Sequence, residues 1–446
     1  MKALTTVSFL VCSLLVNSQE WISLGGGANN QVREIYVDTI SQKLFAVGAF
    51  QDIGGSGGYR VAEWDGTNWA SLCDPPYLLD TNPILSVVKY NNELLVSGTH
   101  GIMGDSLTLE LSRHVAGTTW EKFDDIDGVA LFEVIEDKLI AIGSFDSIGT
   151  EPIKNVGVWD GNAWSVIGDT SVSNYFDVQS LADIEIYNGN YVIGGNAESP
   201  KEIFQWDGLN WSTLGSGIPG SSAWVNCLKS YQGVLYIGGN FNDPNFPSEY
   251  LVAWDGQNFF DPFPNVNFRG QVSDLKVINN ELYILGGLSI DGSLTTYGFS
   301  KFDGDSLCTF GGAGIWGQTP VPGAQKIVEY QGEIIVATGI SMGEDTVNFI
   351  GKWNGIAMDT CIYNPVNVGV KENDSKTISV YPNPVTGILR IGGSELKNIN
   401  EITVLSMTGE VIMKSRLIEN TIDISDLNPG IYILMVNGTH LRIVKE

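Results

Sequence analysis

Side chains suited to acid–base, nucleophilic or metal chemistry are few and scattered. The 446 residues include three histidines, His100, His114 and His440, and none has a partner at the spacing of a metal site or a catalytic triad. Asp124-Asp125-Ile126-Asp127 offers carboxylates of the kind that ligate calcium, but without an EF-hand pattern, and reads as a solvated loop. Gly54-Gly55-Ser56-Gly57-Gly58 has neither a lysine nor a following helix, so it is a loop rather than a phosphate cradle. Carboxylates are abundant, 51 Asp plus Glu against 24 Lys plus Arg. Paired-carboxylate glycoside hydrolysis therefore stays open, because their separations are invisible in a sequence. No catalytic residue, metal ligand or cofactor is assigned, and calcium is the one ion kept in view.

The elements that must position any site announce themselves as a repeat. Trp64-Asp65-Gly66-Thr67-Asn68-Trp69 returns as Trp159-Asp160-Gly161-Asn162-Ala163-Trp164, as Trp206-Asp207-Gly208-Leu209-Asn210-Trp211 and as Trp254-Asp255-Gly256-Gln257-Asn258-Phe259. Worn copies fill the gaps, giving turn glycines Gly66, Gly117, Gly161, Gly208, Gly256, Gly304 and Gly355, spaced 44 to 51 residues apart. Ahead of each lies a short apolar run, as at 44–48, 139–143 and 235–239. Each of the seven units reads as four strands. In unit five these are 225–230, 234–238, 250–254 and a fourth beginning near Phe259. Asp-Gly between apolar runs is a hairpin signal, since glycine accepts positive φ and Asp bonds the backbone ahead of it. The first two strands are apolar with little alternation, as expected when both faces are covered.

A lone four-stranded sheet leaves both faces wet, and packing neighbours in a ring covers them, which is the β-propeller solution. The recurring tryptophans supply the filling between sheets, each burying ~150–250 Å², or roughly 4–6 kcal/mol at ~25 cal/mol/Å² as an upper bound. They recur in phase, as packing residues do, so they are read as packing rather than as sugar platforms. The strand closing in Gly-Gly (Gly194-Gly195, Gly238-Gly239, Gly286-Gly287) and the aromatic-Asp turn followed by Trp resemble the kelch-type propeller over residues 19–363. The resemblance implies an all-β, seven-bladed ring. The copper site this propeller type sometimes carries needs two histidines and two tyrosines converging. Only His100 and His114 lie in the repeats, both near unit two, so no copper is expected.

Met1-Lys2 and the apolar run 3–16 read as a secretory signal peptide cut after Ser18, too short for a membrane span. The chain then opens with Trp21-Ile22-Ser23-Leu24-Gly25, a fourth strand with no third strand ahead of it. The seventh unit has the complementary defect, so 21–25 is expected to pair near 349–353 and close the ring. The alternative keeps 358–362 as the last unit's own outer strand. The net charge of −27 lies wholly in residues 19–370, with 15 basic and 42 acidic residues, while 376–446 holds 7 of each. Such an acidic propeller disfavours nucleic acid and anionic membranes as partners. Cys73, Cys227, Cys308 and Cys361 follow the signal segment and allow three full pairings. They sit in different units of a core that needs no staples, so unpaired thiols are expected.

Residues 364–376 break the repeat and read as a linker. Beyond it, 377–446 shows short strands at 388–391, 402–406, 411–415 and 431–436 with turn signals between them, indicating a small β-sandwich. Tyr381-Pro382-Asn383-Pro384, then Gly409-Glu410, Leu427 with Pro429-Gly430-Ile431-Tyr432, and the late Lys445 follow in order. This segment resembles the type A C-terminal sorting domain of the Bacteroidetes type IX (Por) secretion system. The resemblance implies that the type IX machinery is a partner, and that the protein is secreted or anchored at the outer cell surface.

The expected function is a recognition or adhesion-like module for glycan or protein, with no transmembrane segment in the mature chain. Contacts are expected from loops after the second strands, at 51–58, 99–109, 146–153, 196–201, 241–249, 288–295 and 340–346, including His100, Met103, Asp243, Asn245 and Phe246. These loops vary while the strands stay regular, and variable loops on a rigid scaffold are where recognition concentrates. Their replacement by Gly-Ser is expected to leave the melting temperature almost unmoved. The alternative function is an extracellular polysaccharide-acting enzyme with carboxylates at the channel mouth. Fold decides neither.

Overall fold

The computed structural model describes residues 21–445 except 74–82, 100–108, 128, 144, 146, 168–179, 197–202, 221–222, 265, 291–293, 311–323, 339–346, 354–357, 364–378, 382–384, 393–401, 406–410, 417–419, 429 and 437–438. The signal segment 1–18 and the linker 364–376 thus lie outside the described residues. The chain divides into two compact units, Met1–Val366 and Asn367–Glu446. Among the described residues no helix is long and apolar enough to cross a membrane.

In the first unit the described strands form seven antiparallel sheets, each built on one repeat in meander order. Unit five pairs Trp224–Tyr231, Val234–Asn240, Leu251–Trp254 and Phe259–Phe260 in sequence. The sixth and seventh sheets depart from this scheme at their outer edges. Trp21–Ser23 forms the outer strand of the last sheet, with Trp21 opposite Trp353, Ile22 opposite Lys352 and Ser23 opposite Gly351. Met358–Tyr363 does not take that place. It adds a fifth strand to sheet six, beside Ser306–Phe310, with Cys308 opposite Cys361. The expectation of unpaired thiols fails at Cys308, which is disulfide-bonded, and holds at Cys73 and Cys227, which form no disulfide. Repeat phase assigned Cys308 and Cys361 to different units, and the added strand brings their backbones side by side.

The Asp-Gly turns share one cause. Asp65 Oδ1 accepts the N–H groups of Thr67 and Asn68, both at 2.7 Å, and Gly66 sits at φ +99°, where a side chain would be strained. Asp160, Asp207, Asp255 and Asp303 repeat the pattern. These backbone donors hold the carboxyls of Asp65, Asp160, Asp207 and Asp303 below their usual range.

The turns bring two aromatic residues opposite each other, as at Trp64 and Trp69, whose ring centres lie 5.3 Å apart. The second aromatic also ties its sheet to the one before. Trp69 Nε1 donates to Leu24 O at 2.9 Å, Trp120 Nε1 to Leu72 O at 2.7 Å, and Trp211 Nε1 to Ile167 O at 2.8 Å. An indole that is buried and bonded in this way is committed to packing. Sheets so tied, each with its first strand innermost, are arranged as in a β-propeller.

The second unit has two sheets. Ser379–Tyr381, Ile388–Gly392 and Thr421–Asp423 make one, and Val411–Ser415, Ile402–Leu405, Gly430–Val436 and Thr439–Lys445 the other. Leu389, Ile391, Val404, Leu434 and Ile443 are buried between them in a single core.

Candidate functional site

The first strands of the seven sheets are Val32–Asp38, Ile84–Tyr90, Val129–Ile135, Ser180–Tyr187, Trp224–Tyr231, Val266–Ile278 and Ala324–Tyr330. Each packs against the first strand of the preceding and following units, and Val32–Asp38 packs against both Ile84–Tyr90 and Ala324–Tyr330. All seven carry a register shift at the same place, as between Val32 and Glu34 or between Leu181 and Asp183. A bulge bends a strand and re-aims the side chain that follows it. The residues just after the bulge are Glu34, Ser86, Leu131, Asp183, Cys227, Asp274 and Lys326, one from each unit.

Several of these side chains satisfy the open edge of the neighbouring first strand. Glu34 Oε2 accepts Val87 N–H at 3.0 Å, Ser86 Oγ accepts Phe132 N–H at 3.2 Å, Asp183 Oδ2 accepts Leu228 N–H at 2.7 Å, and Asp274 Oδ2 accepts Ile327 N–H at 2.9 Å. A buried N–H without an acceptor costs roughly 1–3 kcal/mol, so these residues have a structural duty whatever else they do. Where the unit has Leu131 there is no acceptor to offer, and Ile184 N–H bonds Asp183 Oδ1 at 2.8 Å instead.

The same strands enclose a cavity of about 700 Å³. Its charged lining comprises Glu34, Glu133, Asp183, Glu185, Asp274 and Glu329, with Lys229, Lys276 and Lys326. Lys229 Nζ bonds Glu185 at 2.5 Å, and Lys326 lies 3.6 Å from Asp274. Burial would pull Lys326 down, but Asp274, Glu34, Asp183 and Glu133 together push it up, so it stays an ammonium. Burial raises Asp183 to about 6 against the pull of Lys326 and the Leu228 N–H. Glu133 goes further, to about 7, through burial and the neighbouring Asp183 and Glu34, although Lys326 and Lys276 oppose the rise. A carboxyl titrating near neutrality in a cavity is suited to cation binding or to proton transfer.

The expected loops lie elsewhere. The cavity lining runs from the bulge to Thr39 and Asn279, at the end where first and second strands join. The loops leave from the opposite end of the second strands. Those that are described are anchored in the core. Ile53, Ile148 and Ile153 are buried, and Phe246 packs on Phe241 and Phe259 with ring centres 6.2 and 5.2 Å away. Phe246 is therefore a packing residue, while Asp243 accepts bonds from Asn245 within its own turn. The segment 288–295 is largely hairpin, Glu281–Ile290 pairing with Leu294–Phe302. His100, Met103, 197–201 and 340–346 lie outside the described residues. Asp124, considered for calcium, accepts Trp164 Nε1 at 2.8 Å, and His114 bonds Gly117 O at 2.9 Å beside Trp120.

Sequence reasoning missed the cavity because its charges arrive one or two per unit, among apolar neighbours. Counting twelve residues back from Gly98, Gly143, Gly195, Gly239 and Gly286 reaches Ser86, Leu131, Asp183, Cys227 and Asp274, but Glu34, behind a longer turn, and Lys326, in the unit whose second strand has no glycine, stay out of that column.

In the second unit Tyr381 begins the sorting signature from a strand, Tyr432 Oη donates to Asn428 O at 2.9 Å, and Lys445 is buried at the end of the last strand. Gly430 opens the strand containing Tyr432, and Leu427 packs against the core. Pro382, Asn383, Pro384, Gly409 and Pro429 lie outside the described residues.

Residues 379–446 match the family described as the secretion system C-terminal sorting domain. The chain is similar to N-acetylneuraminate epimerase of Brucella melitensis biotype 1, 25% identical over 197 residues, covering 43% of this chain and 45% of that protein. It thus spans less than half the length of that curated relative. Among solved structures it is similar to YCF48 bound to D1 peptide, with 12% identity and a TM-score of 0.42 over 76% of this chain and 96% of that one. It is also similar to PorZ, a surface component of the type-IX secretion system of Porphyromonas gingivalis, with 12% identity and a TM-score of 0.44 over 95% of this chain and 60% of that one. The sorting domain makes the type IX machinery a partner of this chain and implies secretion and attachment at the cell surface.

Proposed function

We propose that this chain is an exported, seven-bladed kelch-like β-propeller, closed by its N-terminal strand, which acts as a recognition module for glycan or protein. The signal peptide at 1–18 starts its export and the sorting domain completes it. The observation that carries the recognition reading is the cavity into which all seven first strands bring side chains from separate repeats. The tryptophans are occupied in packing, so discrimination falls to the charged cavity lining and, at the opposite end, to the exposed tips of the variable loops. The test is a glycan array and a protein-capture assay on the purified mature chain, each run with Glu133→Gln. Saturable binding without turnover supports a module. A blank result on both assays sinks it.

The second reading is an extracellular carbohydrate-acting enzyme. It is favoured by two carboxyls of one cavity rising to about 7 and about 6, Glu133 and Asp183. The relative named as an N-acetylneuraminate epimerase points to the same class. Turnover of a sugar substrate that Glu133→Gln abolishes, with folding intact, would replace the first reading by this one.

A further inference from the structure

Of the nine charged side chains lining the cavity, seven are already engaged. Glu34, Asp183 and Asp274 accept backbone N–H groups of the next strand, Glu185 and Lys229 bond each other, Lys326 faces Asp274, and Glu329 accepts Gly332 N–H at 3.2 Å. Two are left over. Glu133 and Lys276 make no hydrogen bond or close ion pair with any described residue, nor with each other. They come from units three and six and carry opposite charge, and both face the same space. Glu133 is half-buried and Lys276 exposed, so water answers both charges in the empty cavity, and a ligand replaces that water favourably only if it bears the complementary group at each place. An ammonium satisfies Glu133, and an anionic group satisfies Lys276.

We infer that the cavity binds a zwitterionic solute, a free amino acid or short peptide, with its ammonium on Glu133 and its carboxylate on Lys276. This rests on the recognition reading and narrows it to one ligand class. A neutral glycan would leave both charges unanswered. A ligand with only one charge would leave one of them so, and specificity of this kind arises from polar groups that the wrong ligand leaves unpaired.

The test is isothermal titration of the full mature chain with glycine, diglycine and triglycine, a series that steps the separation between ammonium and carboxylate. N-acetyltriglycine lacks the ammonium and triglycinamide lacks the carboxylate. At least one of the three zwitterions is expected to bind saturably, with the two blocked analogues at least ten-fold weaker. Glu133→Gln should erase the preference for triglycine over its N-acetyl form, and Lys276→Met the preference over its amide. Each variant should melt as a folded protein, since neither side chain holds a structural bond. Absence of saturable binding by all three zwitterions, or binding that both variants leave unchanged, overturns the inference. A glycan or protein that binds the chain equally well in both variants would sink this ligand class while leaving the recognition module standing. Blank titrations together with a blank array would sink both.

Discussion

Glu133 occupies a position at which most units place a residue that is apolar or already paired. Its folded pKa of about 7 lies above the usual carboxyl value, so the native state holds a proton that the unfolded chain releases earlier. Stability from this group is therefore greatest below its unfolded pKa and is lost as pH rises toward 7. Asp183, raised to about 6, acts in the same direction over a lower window. Glu133→Gln keeps the shape and removes the charge. It is expected to raise the unfolding free energy by about 1–2 kcal/mol at pH 8 and to change little at pH 4, after discount for the channel's water. Urea melts at the two pH values check this, and an equal effect at both would contradict it. None of this was legible beforehand, because a single Glu among Phe132, Val134 and Ile135 reads as an ordinary edge residue until its neighbours are known.

At the level of elements, the repeat was readable because each strand end carries a local chemical cause. The Asp-Gly turns are set by bonds within four residues, so their pattern survives in sequence. The first-strand bulges are set by what lies across the sheet, and they leave no signature that one unit alone reveals. The anchors inside the loops were hidden for a related reason. Phe50 and Ile53 in unit one, like Phe145 and Ile148 in unit three, are buried members of their cores. Variation in a loop's polar residues concealed these anchors. Ile53→Ala should cost about 2–4 kcal/mol, lowering the melting temperature of the purified chain by several degrees. Gly-Ser replacement of 51–58 should do at least as much, against the expectation that such a swap is silent. A melting curve that does not move would restore the free-loop picture.

For the molecule as a whole, composition already separated an acidic repeat region from a neutral C-terminal segment, and each has its own core. Deleting 377–446 should leave the repeat region folded, with its melting transition retained, but trapped in the periplasm of a type IX-competent host. Surface labelling of the truncated chain would contradict this. The ends of the repeat region were harder to read. Trp21–Ser23 takes its expected place opposite Trp353, yet the strand after the last repeat crosses to sheet six. Repeat phase says where a strand falls in sequence and cannot say which neighbour it joins.

That crossing decides where tension would travel in a protein held at a surface by its C-terminal end. Force entering through Tyr363 falls first on the pairing of Met358–Tyr363 with Ser306–Phe310, a strand that carries the disulfide-bonded Cys308. The contact between Trp21 and Trp353, which joins the two extremes of the repeat region, is loaded only after this pairing gives way. The chain is thus fitted with a strain relief ahead of its seam. Pulled from the C-terminus in a force spectrometer, it should yield at a higher first rupture force when oxidised than when reduced. Pulled from the N-terminus, it should show no such dependence.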